Sequence, residues 1–367
     1  MKRSFPLISI SGSPSQRGES YGRQAAAQIA LAIDIYRGEF QRRGMYWPEA
    51  LRLAGEFLGT LRDYDPILSE EMEAIAHGAD RSVQEIVLLN ARTEVMFWKE
   101  KKARTVDIEQ MIEECTSAVA LPEATQDGHL LHGQNWDWNP ACVDLAVVLE
   151  IRQDDAPDIL TFVEAGQLAR HGLNSEGIAL TAMGLHSDRD YGRMGIPNPM
   201  IRRKMLGCRN LGEAMSVLTN SARSFSHCLI LSHADGEAFS FETTPDEVYW
   251  LEPEDGILVH ANHFKSTVAM AQLKDLNLGR SPDSLYRDSR VRRALKAAEG
   301  SISMETFRQV FSDEFGKPNS VLRHPAPRPG GMISATLATL IMDTTERIMW
   351  LAPTPFKNAH FTEYRLG

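Results

Sequence analysis

Glu114-Cys115-Thr116-Ser117-Ala118-Val119, answered after a turn by Gly133-Gln134-Asn135-Trp136-Asp137-Trp138, is the pair of stretches from which the rest of the chain can be read. Both have strand composition, and the turn signals between Pro122 and Gly128 make them a hairpin. Antiparallel pairing then sets Cys115 against residues 136 to 140, with Asp137 about one or two residues from its cross-strand neighbour. A carboxylate cannot activate that thiol, because a nearby negative charge raises a thiol pKa. A base is needed. If the bond after Glu114 is cut, the new α-amine of Cys115 has a pKa of about 7.7 to 8, near the thiol's value of about 8.5, and can take its proton. Asp137 would then hold the ammonium form, and the same thiol can make the cut through a thioester to Glu114.

On the N-terminal side the pattern is helical. A first strand around Leu7-Ile8-Ser9-Ile10 leads to Gly18 and Gly22, read as bracketing a turn. Apolar residues at helical spacing follow over Arg23 to Phe40, Pro48 to Arg62, Ser69 to His77 and Ser82 to Trp98. Glu100-Lys101-Lys102-Ala103-Arg104 is a solvated charge run, and a flexible stretch ahead of Cys115 suits a processed bond. From Cys115 onward strands dominate, near 116–121, 129–138, 145–152, 159–165 and 177–184. Helices return at 197–206 and 211–222, followed by strands near 227–232, 237–242, 247–251 and 256–260. Two further helices, 281–298 and 303–315, precede a Pro- and Gly-rich loop from His324 to Gly331 and a closing hairpin, Ala335 to Met342 against Arg347 to Leu351. Antiparallel blocks separated by helix pairs imply an α+β fold of sheets covered by helices.

A chain of 367 residues with 43% hydrophobic and 24% charged residues is globular and long enough for a sizeable core. Its formal charge of -10 argues against a broad nucleic-acid surface. The four cysteines, Cys115, Cys142, Cys208 and Cys228, lack C-x-x-C spacing, and reduced thiols in a cytoplasmic protein are expected. Met1 to Ile10 is interrupted by Pro6 and by serines and is not read as a signal peptide. No apolar run reaches the roughly 20 residues that span a bilayer, so no membrane partner is expected.

Each candidate also has a plainer reading. A lone cysteine at a strand start is usually a small buried hydrophobe. Asn135-Trp136-Asp137-Trp138 can be aromatic packing with a capping aspartate, and Asn262 a loop amide. His260, Asn262 and His263 lack a spaced third ligand, so no metal is expected. The charges of Asp283, Arg287, Arg290, Arg292 and Arg293, and those of Arg202-Arg203-Lys204, read as solvated helix faces, although either cluster can meet an acyl-carrier phosphate.

Taken together, several motifs resemble one family. They are Ile10-Ser11-Gly12-Ser13-Pro14 with Arg17-Gly18 and Gly22, Cys115-Thr116-Ser117 with Gln134-Asn135-Trp136-Asp137, Gly172-Leu173-Asn174-Ser175-Glu176-Gly177, Asn262-His263-Phe264 and Ser334-Ala335-Thr336-Leu337. In order and spread they are similar to the acyl-coenzyme A:6-aminopenicillanic acid acyltransferase family, the C45 cysteine N-terminal nucleophile hydrolases. The resemblance implies a four-layer αββα sandwich and self-cleavage between Glu114 and Cys115. Residues 1–114 would become a mainly helical small subunit that stays bound, and residues 115–367 the catalytic one. It further implies Cys115 as nucleophile and, through its amine, base, with Asp137 holding that amine. Asn262 would donate to the oxyanion, a role commonly worth about 3 to 4 kcal/mol. Ser117 and Ser334 match positions lining the family's site, and His263 adjoins Asn262 there.

The expected substrate is a small acyl amide, hydrolysed or transferred, with no cofactor and with acyl-coenzyme A able to serve as co-substrate. The pattern departs at one place: the family typically carries glycine before its cysteine, and here Glu114 stands there after Glu113. Glycine tolerates a strained scissile bond more readily than glutamate does. Two other readings stay open, an uncleaved thiol hydrolase in which His263 or His260 activates Cys115, and a non-catalytic scaffold of the same fold.

Overall fold

The structure is a computed structural model, described here over residues 3–96, 114–190, 193–328 and 332–367. The charge run at 100–104 and the stretch just ahead of Glu114 lie outside the described residues, as do the ends of the 82–98 helix and of the 324–331 loop.

The N-terminal part runs β1 (Leu7–Ile10), α1 (Pro14–Gln24), α2 (Ala26–Arg42), α3 (Trp47–Tyr64), α4 (Pro66–Gly78) and α5 (Val83–Asn90). Helix α1 begins with Ser13 and Gln16 in a reciprocal capping box, with Pro14 in the first turn. Gly18 and Gly22 sit inside α1 and do not bracket a turn. A Cβ at either would come within 2.3 Å of a backbone oxygen, of Glu71 or Ile75, in α4. The two glycines therefore let α1 and α4 touch backbone to backbone, a contact no periodicity rule reports.

From Glu114 the strands are β2 (Glu114–Ala120), β3 (Leu131–Trp138), β4 (Ala146–Ile151), β5 (Ile159–Glu164), β6 (His171–Asn174), β7 (Ile178–Gly184), β8 (His227–His233), β9 (Glu237–Thr243), β10 (Val248–Leu251) and β11 (Ile257–His260). The last are β12 (Ala326–Pro327), β13 (Ile333–Asp343), β14 (Ile348–Pro353) and β15 (Thr362–Arg365). The intervening helices are α6 (Asn198–Leu206), α7 (Leu211–Asn220), α8 (Thr267–Gln272), α9 (Asp283–Ala297) and α10 (Met304–Phe311). Among the described residues one sheet has the order β1-β4-β5-β6-β7-β8-β9-β10 and the other β11-β2-β3-β13-β14-β15, with β12 on β13. Residues His171–Asn174 form β6 between β5 and β7.

Side chains alternate across a strand, so β2 and β3 serve two cores. Cys115, Val119 and Trp136 join the large core with Phe162 and Leu180 of the facing sheet. Ala118, Ala120 and Leu131 pack instead with Val291 and Leu295 of α9 and Phe307 and Phe311 of α10. On the far side of the eight-stranded sheet, Asn174 Nδ2 donates to the carbonyls of Leu206 and Cys208 at 2.9 Å, seating α6. Helix, sheet, sheet and helix stack as four layers. No described helix is long and apolar enough to cross a membrane.

Two charge readings are corrected. Arg202 and Arg203 are buried, at 4% and 2% exposure. Arg203 reaches Glu71 and Gln153, and Arg202 reaches His227. In α9, Asp283 and Arg287 are buried too, while Arg292 and Arg293 face solvent. Spacing shows that a helix has a polar face, but whether that face meets water depends on what the rest of the chain lays over it.

Candidate active site

Strand β2 lies inside its sheet, and Cys115 is paired with Trp136 while Glu114 is paired with Asp137. The hairpin spacing predicts this neighbourhood. Cys115 is buried. Its backbone N–H donates to Asn262 Oδ1 at 2.6 Å, and its carbonyl accepts from Arg287 Nη1 at 2.7 Å. The same Nη1 donates to Thr116 Oγ1 at 2.8 Å, and Arg287 Nη2 reaches Asn262 Oδ1 at 3.1 Å.

Two donors converge on one Asn262 atom, so that atom must be the amide oxygen. Its Nδ2 then donates to the Gly184 carbonyl at 3.0 Å. In the intact chain the amide expected to serve an oxyanion is thus engaged with Gly184, and its oxygen grips the N–H beside the Glu114 carbonyl. Ser284 Oγ accepts from the Asn262 backbone N–H at 2.7 Å, which fixes the loop.

Glu114 points to the helix side, where the charged residues gather. Its carboxyl forms ion pairs with Arg323 Nη1 at 3.1 Å and Arg328 Nη2 at 2.6 Å. Ser281 Oγ stands 2.7 Å from Glu114 Oε1 and also 2.7 Å from Asp283 Oδ1. One hydroxyl hydrogen serves only one of these acceptors, which favours a proton on the other. Burial raises the Glu114 pKa, the Arg323 charge lowers it and Asp283 raises it again.

Asp137 takes a hydrogen bond from Thr336 Oγ1 at 2.7 Å and an ion pair from Arg323 Nε at 3.0 Å. Burial pushes its pKa up to about 7 against the pull of Arg323 and Arg287. Arg323 also contacts Asp283, which in turn pairs with Arg287 Nε at 2.9 Å. The side chains of Arg287 and Arg323 are wholly buried. Isolated charges there would be very costly, so the cluster stands or falls as a unit.

The remaining expected residues separate. Ser117 faces the other sheet, donating to the Gly133 carbonyl at 2.8 Å and standing 2.7 Å from Thr181 Oγ1. Ser334 is buried on β13, and its hydroxyl has no hydrogen-bond partner among the described residues. The His263 ring bonds Ser284 Oγ at 2.7 Å, and burial, then the His260 charge, lowers its pKa to about 4. His260 meets Glu242 at 2.8 Å and the Ala261 carbonyl at 2.8 Å. Burial lowers its pKa, but Cys228 and Glu242 outweigh that and hold it at about 10. Such a group is protonated at neutral pH and cannot act as a base. No cluster of His, Cys, Asp and Glu able to hold a metal occurs among the described residues.

Sequence reasoning missed Ser281, Arg323 and Arg328, named Thr336 only within a family motif, and read Asp283 and Arg287 as part of a solvated face. The only available signal was an excess of arginine on α9 and after α10, which could not be told from a solvated face.

The model of the acyl-coenzyme A:6-aminopenicillanic acid acyl-transferase family matches residues 124–357. The chain belongs to this family. The matched region contains Asp137, Asn262 and Ser334 and begins beyond Cys115. Over 346 residues the chain is 28% identical to the 40 kDa form of acyl-coenzyme A:6-aminopenicillanic-acid-acyltransferase from Emericella nidulans, covering 93% of this chain and 90% of that one. Among solved structures it is similar to a variant of conjugated bile acid hydrolase from Clostridium perfringens. The TM-score is 0.50 at 14% identity, over 68% of this chain and 92% of that one. That likeness concerns the fold, which is the αββα fold of N-terminal nucleophile hydrolases. By family the protein is an enzyme of acyl transfer.

Proposed function

We propose that the protein is a self-processed cysteine N-terminal nucleophile amidohydrolase that works on small non-peptide acyl amides through a thioester on Cys115. The observation that carries this reading is the grip on both sides of the Glu114–Cys115 bond. Asn262 and Arg287 hold the amide N–H and carbonyl of Cys115, while Arg323 and Arg328 hold the Glu114 side chain. A bond whose neighbours are fixed can be approached in one geometry only.

In processing, the Cys115 sulfur adds to the Glu114 carbonyl carbon, the C–N bond breaks, and the nitrogen takes the proton the thiol lost. Water then cleaves the thioester and frees residues 1–114 from residues 115–367. The new amine serves as base in turnover, and Asp137, across from Glu114, is the carboxylate available to hold its charged form. Once freed from Gly184, the Asn262 amide is the oxyanion donor.

Hydrolysis is favoured because water is always present, and an amine or acyl-coenzyme A can enter the same thioester chemistry without a cofactor. The two fragments remain associated, since β1 of the small one pairs with β4 of the large one. None of the four cysteines is in a disulfide, which supports a cytoplasmic protein. The test is mass spectrometry of purified protein. Fragments beginning at Cys115 are expected, and an intact, fully active chain would refute the reading.

A further inference from the structure

In the intact chain Glu114 fills an anion pocket. Around it, the carboxyls of Glu114, Asp137 and Asp283 face the guanidiniums of Arg287, Arg323 and Arg328, and the Glu114 carboxyl is the one that both Arg323 and Arg328 reach. Removing Glu114 takes that acceptor from two guanidiniums, and cleavage adds the Cys115 ammonium beside them. A buried excess of positive charge is costly unless an anion replaces the one lost. Ser281 gives up a hydrogen-bond acceptor at the same time. Ser334 offers a buried hydroxyl with no partner among the described residues, on the face of β13 that carries Thr336.

We propose that this vacated pocket is the acyl-chain site of the mature enzyme, and that its substrates are amides whose acyl group ends in a carboxylate at glutaryl spacing. The inference rests on the processed-nucleophile reading. In self-cleavage the acyl group carried on Cys115 Sγ is that of Glu114, and in turnover it is that of the substrate. The connectivity from sulfur through carbonyl to side chain is the same in both. From its carbonyl carbon, Glu114 reaches its carboxylate through the same number of carbons as a glutaryl group. In each turnover sulfur adds to the acyl carbon, the C–N bond breaks, and the leaving nitrogen takes the proton that the Cys115 amine received from the thiol. Water then breaks the C–S bond, releasing the dicarboxylate and restoring the thiol.

Two measurements test this. Processed wild type is assayed with glutaryl-p-nitroanilide and valeryl-p-nitroanilide. At least about a tenfold preference in kcat/KM for the glutaryl compound is expected, corresponding to one lost charge-assisted contact of about 1.4 kcal/mol. The ratio should fall toward one in Arg328→Gln. Equal or better use of the valeryl compound overturns the proposal. Separately, propionate, which matches the Glu114 side chain in size and charge, is titrated calorimetrically into intact Cys115→Ala and into intact Cys115→Ala/Glu114→Gly. Binding is expected only where the Glu114 side chain is gone, and uncharged propionamide should not bind. No propionate binding to a double variant with native circular dichroism overturns the pocket assignment. Propionate binding together with an uncleaved, inactive wild type would instead sink the processing reading and leave the pocket standing.

Discussion

The two faces of β2 and β3 bury polar groups in opposite ways. Toward the other sheet, Ser117, Thr181, His132 and Ser232 form a neutral network, with His132 2.8 Å from Thr181 and 2.9 Å from Ser232. Burial there lowers the His132 pKa to about 3, so it stays uncharged. Toward the helices the same strands carry Glu114 and Asp137 into a cluster of carboxyls and guanidiniums. Neutral hydrogen-bonded groups tolerate burial with small net gain or loss, whereas buried charges require partners. The ionic face is therefore the fragile one, and it is the face the processed bond would disturb.

The comparison can be broken or sharpened by substitution. The largest effect is expected from Cys115→Ala, which should leave the chain uncleaved and reduce amide turnover by about a thousandfold or more. Mass and amide-hydrolysis rate measured on one sample check both parts. Arg323→Met removes the guanidinium shared by Glu114, Asp137 and Asp283, and should destabilise the intact chain by about 3–5 kcal/mol in denaturant unfolding. A loss below that of a neutral-face variant would show that the ionic cluster is not the weak side. On that neutral face, Thr181→Val keeps the shape but leaves His132 Nε2 and Ser117 short of a partner, and about 1–3 kcal/mol should be lost.

A pH-dependent effect concerns a charged exception on the sheet-to-sheet side. His260, paired in register with Ser117, reaches Glu242 of the other sheet. Its folded pKa of about 10 lies above the unfolded value of about 6.5. The folded state then holds a proton that the unfolded chain releases, so this stabilisation is complete below about pH 6.5 and is lost as pH rises toward 10. Melting temperature should fall less steeply between pH 7 and 10 in His260→Gln than in wild type. Parallel slopes would show that His260 carries no such charge.

Residues close in sequence were read well. The β2–β3 register follows from strand period and turn position, which is why Asp137 could be placed near Cys115 before any coordinates. The helix and strand order after Cys115 follows from hydrophobic period in the same way. Gly18 and Gly22 were misread because a glycine that ends a helix and one that lets two helices touch look alike in one dimension. Arg203 and Arg287 were misread because charge is assigned to solvent by default, and only the folded chain brings Glu71 to Arg203 and the Cys115 carbonyl and Asn262 to Arg287.

Glu114 draws the line between the two kinds of knowledge. By itself the sequence determined that a glutamate precedes Cys115, and that this cysteine opens a strand paired near Asp137, since both depend on neighbours within one hairpin. Only the tertiary structure decided what becomes of that charge. Ser281, Arg323 and Arg328 come from distant parts of the chain, and their convergence on Glu114 is set by helix packing over the sheet, which no local pattern encodes.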